Sequence, residues 1–256
     1  MSGIRQSFVW DPFARTGIEP EMLVRAAAEI GYAGVELVPQ PYWRLIKDHG
    51  LAIVSTVGHP LAPEGLNRRE NLASIEKEIR INLALAAEWG VPYVLCFSGN
   101  RYGMDEVTAA EITAENLHHL IPLAENAGIT LVLELLNSKV KGRDYQADKS
   151  AWGIKVCEMV NSLRVRLLYD IYHMQIMEGD IISTIRRDHA FFAHYHTAGN
   201  PGRSDLDDTQ ELYYPAIVRA ILETGDQGYI GHEFFPKADP ITALTAAFQV
   251  CNVTME

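Results

Sequence analysis

Short apolar runs alternate with helically spaced apolar stripes over most of this chain. Residues 4–10 alternate loosely as a strand does, and residues 19–30 set Met22, Leu23, Ala26, Ala27 and Ile30 on one helical face before Gly31 stops it. The same unit recurs. Strands are expected at 34–38, 51–57, 91–97, 129–135, 165–169, 191–196 and 229–234, where β-branched and other apolar residues cluster. Helices are expected at 41–48, 71–89, 108–126, 149–161, 181–188 and 214–223, with Gly90 and Gly128 as stops. That gives about eight strands and seven or eight helices in strict alternation, which implies parallel pairing.

Eight such units in 256 residues match the size of a (β/α)8 TIM barrel. A doubly wound sheet would carry a glycine-rich phosphate turn after its first strand, and Phe8-Val9-Trp10-Asp11-Pro12 has none. An internal echo supports repeated units: Gly31-Tyr32-Ala33-Gly34-Val35-Glu36 returns as Gly228-Tyr229-Ile230-Gly231-His232-Glu233. No linker or low-complexity tract divides the chain, so residues 1–256 are expected to form a single domain. Composition narrows the partners. A formal net charge of -11 repels phosphate backbones, which argues against nucleic acid. Cys96, Cys157 and Cys251 are odd in number and widely spaced, as suits reduced packing thiols. No stretch approaches the ~18 apolar residues of a membrane span, and the amino terminus leads straight into a strand-like run. A soluble cytoplasmic protein is expected, with a homo-oligomer left open.

The chemistry sits where apolar strands end in charge. Leu167-Leu168-Tyr169 runs into Asp170, and His173 follows three residues later. A buried, unpaired carboxylate costs several kcal/mol, roughly, so Asp170 needs hydrogen bonds, a cation or a metal ion. Strands five, seven and eight end the same way, in Glu134, His196 and Glu233. In a barrel the carboxyl ends of neighbouring strands meet at one mouth. Three carboxylates there repel unless a divalent cation neutralises them, and oxygen donors with one nitrogen suit Mn²⁺, Mg²⁺ or Co²⁺, with Zn²⁺ as a further candidate. Any one of the four alone is better explained as an ordinary buried polar residue; four on adjacent strands favour the metal. His194 shares a strand face with His196 and reads as a hydrogen-bonded core residue one layer deeper. Glu36 ends strand two, across the barrel, and reads as a buried hydrogen-bonded carboxylate rather than a fifth ligand. His173 suits either a substrate contact or a surface histidine at a helix start. Arg203, on the turn Gly199-Asn200-Pro201-Gly202-Arg203, suits either a grip on an anionic or polyhydroxyl substrate or a solvated loop position. His59 and Arg101 are weaker substrate-contact candidates.

At these residues the sequence resembles hydroxypyruvate isomerase, within the xylose-isomerase-like TIM barrel sugar isomerases and epimerases. The run from Asp170-Ile171-Tyr172-His173 to Asp180 carries the strongest likeness, and Glu134-Leu135-Leu136-Asn137, Pro201-Gly202-Arg203 and Gly231-His232-Glu233-Phe234-Phe235-Pro236 follow its other landmarks in order. The resemblance implies Glu134, Asp170, His196 and Glu233 as metal ligands, Glu134 and Glu233 as the acid/base pair, and His173 and Arg203 as substrate contacts. His196 stands at a metal position that is Gln in hydroxypyruvate isomerase and His in the ketose epimerases. The expected activity is a metal-dependent aldose-ketose type isomerisation of a small hydroxy-oxo acid, of the hydroxypyruvate/tartronate semialdehyde kind, through an enediolate. A ketose 3-epimerase, a metal-dependent dehydratase and a sugar-acid-binding barrel without turnover are the alternatives. An endonuclease on the same fold would demand further histidine ligands and a basic groove.

Overall fold

The computed structural model describes residues 3–60, 64–140 and 144–254. Its strands close in the order β1-β2-β3-β4-β5-β6-β7-β8, a parallel TIM barrel with helices between the strands. The described residues form two compact units, one drawn from Met1–Val54, Asp180–His189 and His194–Glu256 and the other from Ser55–Gly179 and Ala190–Ala193.

In the first unit β1 (Arg5–Val9) pairs with both β2 (Gly34–Glu36) and β8 (Tyr229–His232). A five-residue helix, α1 (Trp10–Ala14), follows β1 directly. The sequence reading missed it, because Trp10 continues the apolar run of the strand. Next comes α2 (Pro20–Ile30), opened by a proline in its first turn and closed by Gly31 at φ 110°, the left-handed cap that glycine takes without strain. After β2 come α3 (Trp43–Asp48) and the start of β3 (Ala52–Val57). The unit is completed by α8 (Ile181–Asp188), most of β7 (Phe192–Thr197), α9 (Tyr214–Glu223) and a last helix, α10 (Pro240–Cys251), beyond the end of the expected alternation. Its core is aromatic. Phe13 meets Phe8 at 5.4 Å and Phe234 at 5.1 Å, edge to face, and Tyr32 meets Phe248 at 5.3 Å.

In the second unit β4 (Tyr93–Cys96), β5 (Thr130–Glu134) and β6 (Val165–Asp170) pair in parallel, flanked by α4 (Leu72–Trp89), α5 (Glu106–Ala127) and α6 (Ser150–Val160). The three strands read as almost continuous apolar runs because both their faces are covered. Asp105 caps α5 by accepting from Val107 N and Thr108 N. Tyr145 is 1% exposed; its hydroxyl accepts from Ser98 N and donates to the Glu134 carbonyl, tying loops to a strand end. A short helix, α7 (Ile171–Met177), begins immediately after β6. Among the described residues no helix is long and apolar enough to cross a membrane.

Candidate metal centre and active site

On β7, His194 and His196 alternate with Tyr195 and so share one side of the strand. Both reach Glu36. His194 Nε2 lies 2.8 Å and His196 Nε2 3.2 Å from Glu36 Oε2, while Ser7 Oγ donates to Glu36 Oε1 at 2.6 Å. All four residues are fully buried. Glu36, expected across the barrel from the cluster, is therefore in contact with it. It fits because its β8 neighbour is glycine: a Cβ on Gly231 would stand 2.1 Å from Glu36 Oε1. Burial pushes the Glu36 carboxyl up, but His194 and His196 outweigh it and hold it well below the usual carboxylate range. His196 answers in the opposite sense: burial pushes it down, and Glu36 and Glu233 raise it well above an ordinary histidine.

Glu233 lies one residue beyond the end of β8, where its N–H donates to the Thr197 carbonyl. Its Oε2 is 2.9 Å from His196 Nδ1, and its Oε1 is 2.6 Å from Arg203 Nη2. Arg203 adopts a left-handed backbone at φ 52° and keeps its side chain 15% exposed, so the solvated loop alternative does not hold. A second buried line was not foreseen. Gln6 Nε2 donates to the Phe248 carbonyl, which fixes its amide so that Oε1 accepts from His232 Nε2 at 2.9 Å. His232 Nδ1 then accepts from Thr197 Oγ1 at 2.7 Å, and burial pushes this imidazole down to about 3. It stays neutral at any ordinary pH.

Glu134 is the last residue of β5 and Asp170 the last of β6, 6% and 1% exposed. Asp170 Oδ1 caps α7 by accepting from His173 N at 3.0 Å. That bond seats the His173 ring, 2% exposed, with Nε2 3.6 Å from Asp170 Oδ2. The surface alternative for His173 is thereby overturned: the helix starts inside the protein. Its Nδ1 accepts from the backbone N–H of Asn137, on the loop after β5. The two weaker candidates are engaged in contacts within and between loops. His59 is held by the Pro60 carbonyl at Nδ1 and by the Phe97 N–H at Nε2, with burial lowering it to about 4. Arg101 bonds the Tyr145 carbonyl and meets Asp148 Oδ1 at 2.6 Å, joining the loops after β4 and β5.

Glu134, Asp170, His196 and Glu233 each offer one ligand atom, and these atoms all lie within 4.8 Å of one another. Three oxygens and one imidazole nitrogen, largely buried, fit a divalent cation by charge and by donor type. The xylose isomerase-like TIM barrel family matches residues 24–250. The chain belongs to this family. Among its relatives, a human protein named for hydroxypyruvate isomerase is 28% identical over 249 residues, covering 95% of this chain and 84% of that protein. The 2-oxo-tetronate isomerase of Haemophilus influenzae is 26% identical over 233 residues, covering 86% of this chain and 89% of that protein. The crystal structure of an AP endonuclease, family 2, from Brucella melitensis superposes with a TM-score of 0.82 at 25% identity, over 97% of this chain and 98% of that one. With such relatives, this xylose isomerase-like chain is an isomerase-type enzyme on a TIM barrel. Glu36 is the buried hydrogen-bonded carboxylate that its place at the end of strand two led one to expect; what sequence reasoning missed is that its partners are His194 and His196, and the one available signal was the echo that pairs Glu36 with Glu233.

Proposed function

We propose that the chain is a divalent-metal-dependent isomerase of a small hydroxy-oxo acid of the hydroxypyruvate kind. The observation that carries this reading is the group of three carboxylates and one imidazole with ligand atoms within 4.8 Å. Glu134, Asp170, His196 and Glu233 would hold the ion, of Mn²⁺, Mg²⁺ or Co²⁺ type. Bound there, it would neutralise the carboxylates and polarise the carbonyl and hydroxyl oxygens of the substrate.

The remaining work falls to side chains. Glu134 and Glu233 form the acid/base pair: one removes a proton from the hydroxymethyl carbon, leaving an enediolate, and the other returns a proton to the former carbonyl carbon. The hydroxyl proton of the first carbon passes to the second oxygen, so a ketone becomes an aldehyde with no net gain or loss of atoms. Arg203 stands against Glu233, and its planar guanidinium would hold a substrate carboxylate beside the reacting carbons. His196 Nε2 faces Glu36, an acceptor that keeps the proton on Nε2 and leaves Nδ1 as the ligand atom.

Incubating the protein with Mn²⁺ and hydroxypyruvate in deuterated water, followed by proton NMR, tests the reading. Tartronate semialdehyde carrying solvent deuterium at carbon 2 is the expected product. No product and no exchange, with the metal shown to be bound, would refute it. A ketose 3-epimerase is the second reading, favoured by an imidazole rather than an amide at position 196. Exchange at carbon 3 of neutral ketoses, with none into hydroxypyruvate, would select it. An endonuclease activity is disfavoured by the net charge of -11.

A further inference from the structure

Two donors and one acceptor around a single imidazole decide where its proton sits. Asn137 N donates to His173 Nδ1 at 3.1 Å, and a backbone N–H has no other role available to it. The Asn137 amide is oriented by Val140, whose N–H donates to Asn137 Oδ1 at 2.8 Å. Its NH₂ end is therefore the one that lies 2.6 Å from the same Nδ1. An Nδ1–H would face two N–H groups. The ring is buried and seated by its backbone bond to Asp170 Oδ1, and its other nitrogen, Nε2, stands beside the Asp170 carboxylate.

We infer that Asn137 is a positioning residue that holds His173 in its Nε2–H tautomer, so that His173 donates a hydrogen bond to the carbonyl or enediolate oxygen of the substrate and is not a proton acceptor. The second half rests on the isomerase reading; the tautomer rests on the geometry alone. The chemistry uses such a donor. Negative charge grows on the former carbonyl oxygen as the neighbouring carbon loses its proton, and a fixed N–H aimed there stabilises it more than the ground state. It also divides the labour among the residues near Asp170, because a histidine whose Nδ1 is covered and whose Nε2 keeps its proton leaves proton abstraction to the carboxylates.

The full chain, labelled with ¹⁵N-histidine and free of metal, gives the tautomer directly in a long-range proton-nitrogen correlation spectrum, with His173 assigned by comparison with His173→Gln. An unprotonated Nδ1 and a protonated Nε2 are expected; a protonated Nδ1 overturns the inference. Asn137→Asp keeps an acceptor for the Val140 N–H and sets a carboxylate oxygen against Nδ1. It should move the His173 proton toward Nδ1 and lower kcat on hydroxypyruvate by about tenfold or more, with KM within about threefold. An unchanged spectrum in this variant overturns the positioning role, and an unchanged kcat with the proton moved overturns the donor role. If the wild type shows the expected tautomer and does not turn over hydroxypyruvate, the tautomer assignment is upheld and the substrate reading falls.

Discussion

Replacing Glu36 by Gln keeps the shape of the side chain and removes its charge. Glu36 is fully buried and accepts at 2.6 Å from Ser7, with His194 at 2.8 Å and His196 at 3.2 Å. The amide can still face Ser7 and the imidazoles, so what is lost is the charge that holds the two histidines. Breaking a buried ion pair costs about 3–5 kcal/mol, and with the neutral hydrogen bonds kept the lower end applies, about 3 kcal/mol. For a chain of this size that lowers Tm by roughly 6–12 °C. Urea and thermal unfolding followed by circular dichroism, both with chelator present, measure it. The pH dependence carries its own sign. The depressed Glu36 contributes stability above its unfolded pKa of about 4.3, lost as pH falls through the folded value; the raised His196 contributes below its unfolded pKa of about 6.5, lost as pH rises through the folded value. The gap between wild type and variant should therefore be widest from about pH 4.3 to 6.5 and narrow at alkaline pH. With the acceptor for His196 Nε2 weakened, Mn²⁺ affinity should also fall by about 10- to 100-fold. A loss below about 1 kcal/mol at pH 6, with unchanged Mn²⁺ affinity, would mean that Glu36 carries no buried charge and does not orient His196.

Glu134→Gln and Glu233→Gln should each lower kcat on hydroxypyruvate by about 10²-fold or more at saturating Mn²⁺, and near-normal rates in both, with unchanged circular dichroism, would remove them as the acid/base pair. Gly231→Ala sets a methyl group 2.1 Å from Glu36 Oε1, so it should cost about 3 kcal/mol in unfolding experiments, and adding Glu36→Ala should recover part of that loss. Arg203→Lys keeps the charge and loses the planar donor set; KM for hydroxypyruvate should rise by an amount worth about 1–3 kcal/mol, and because Arg203 touches Glu233, kcat should fall as well. An unchanged KM toward every acid tested would detach Arg203 from a substrate carboxylate.

The barrel was legible because short apolar runs alternate with helically spaced apolar stripes, with a chemical stop after several of the helices. Gly31, Gly90 and Gly128 all take the left-handed backbone that ends the helices expected before them. The helices α1, α7 and α10 were outside the expected list, α1 and α10 for physical reasons that can be named. At α1 the helix begins on Trp10, inside an apolar run that looks like more strand, and no side-chain cap marks the change. At α10 the signal was present in the Asp239 cap and the following Pro240, but the alternation had already reached its eighth strand.

Charged residues that end apolar strands announce themselves, which is why Glu134, Asp170, His196 and Glu233 could be picked out along the chain. The residues that orient them do not. Glu36 meets His194 across 158 positions, and Asn137 meets His173 across 36; neither pair shares a strand face or a helical period. Periodicity indicates which side of its own element a residue takes, while the reach of Glu36 into the β7 histidines depends on the side chain that β8 lacks at Gly231. The candidate ligand set is thus written in the order of the strand ends. The protonation pattern proposed around it is written in second partners on other elements, and these would decide which nitrogen of each histidine is left to face a metal or a substrate.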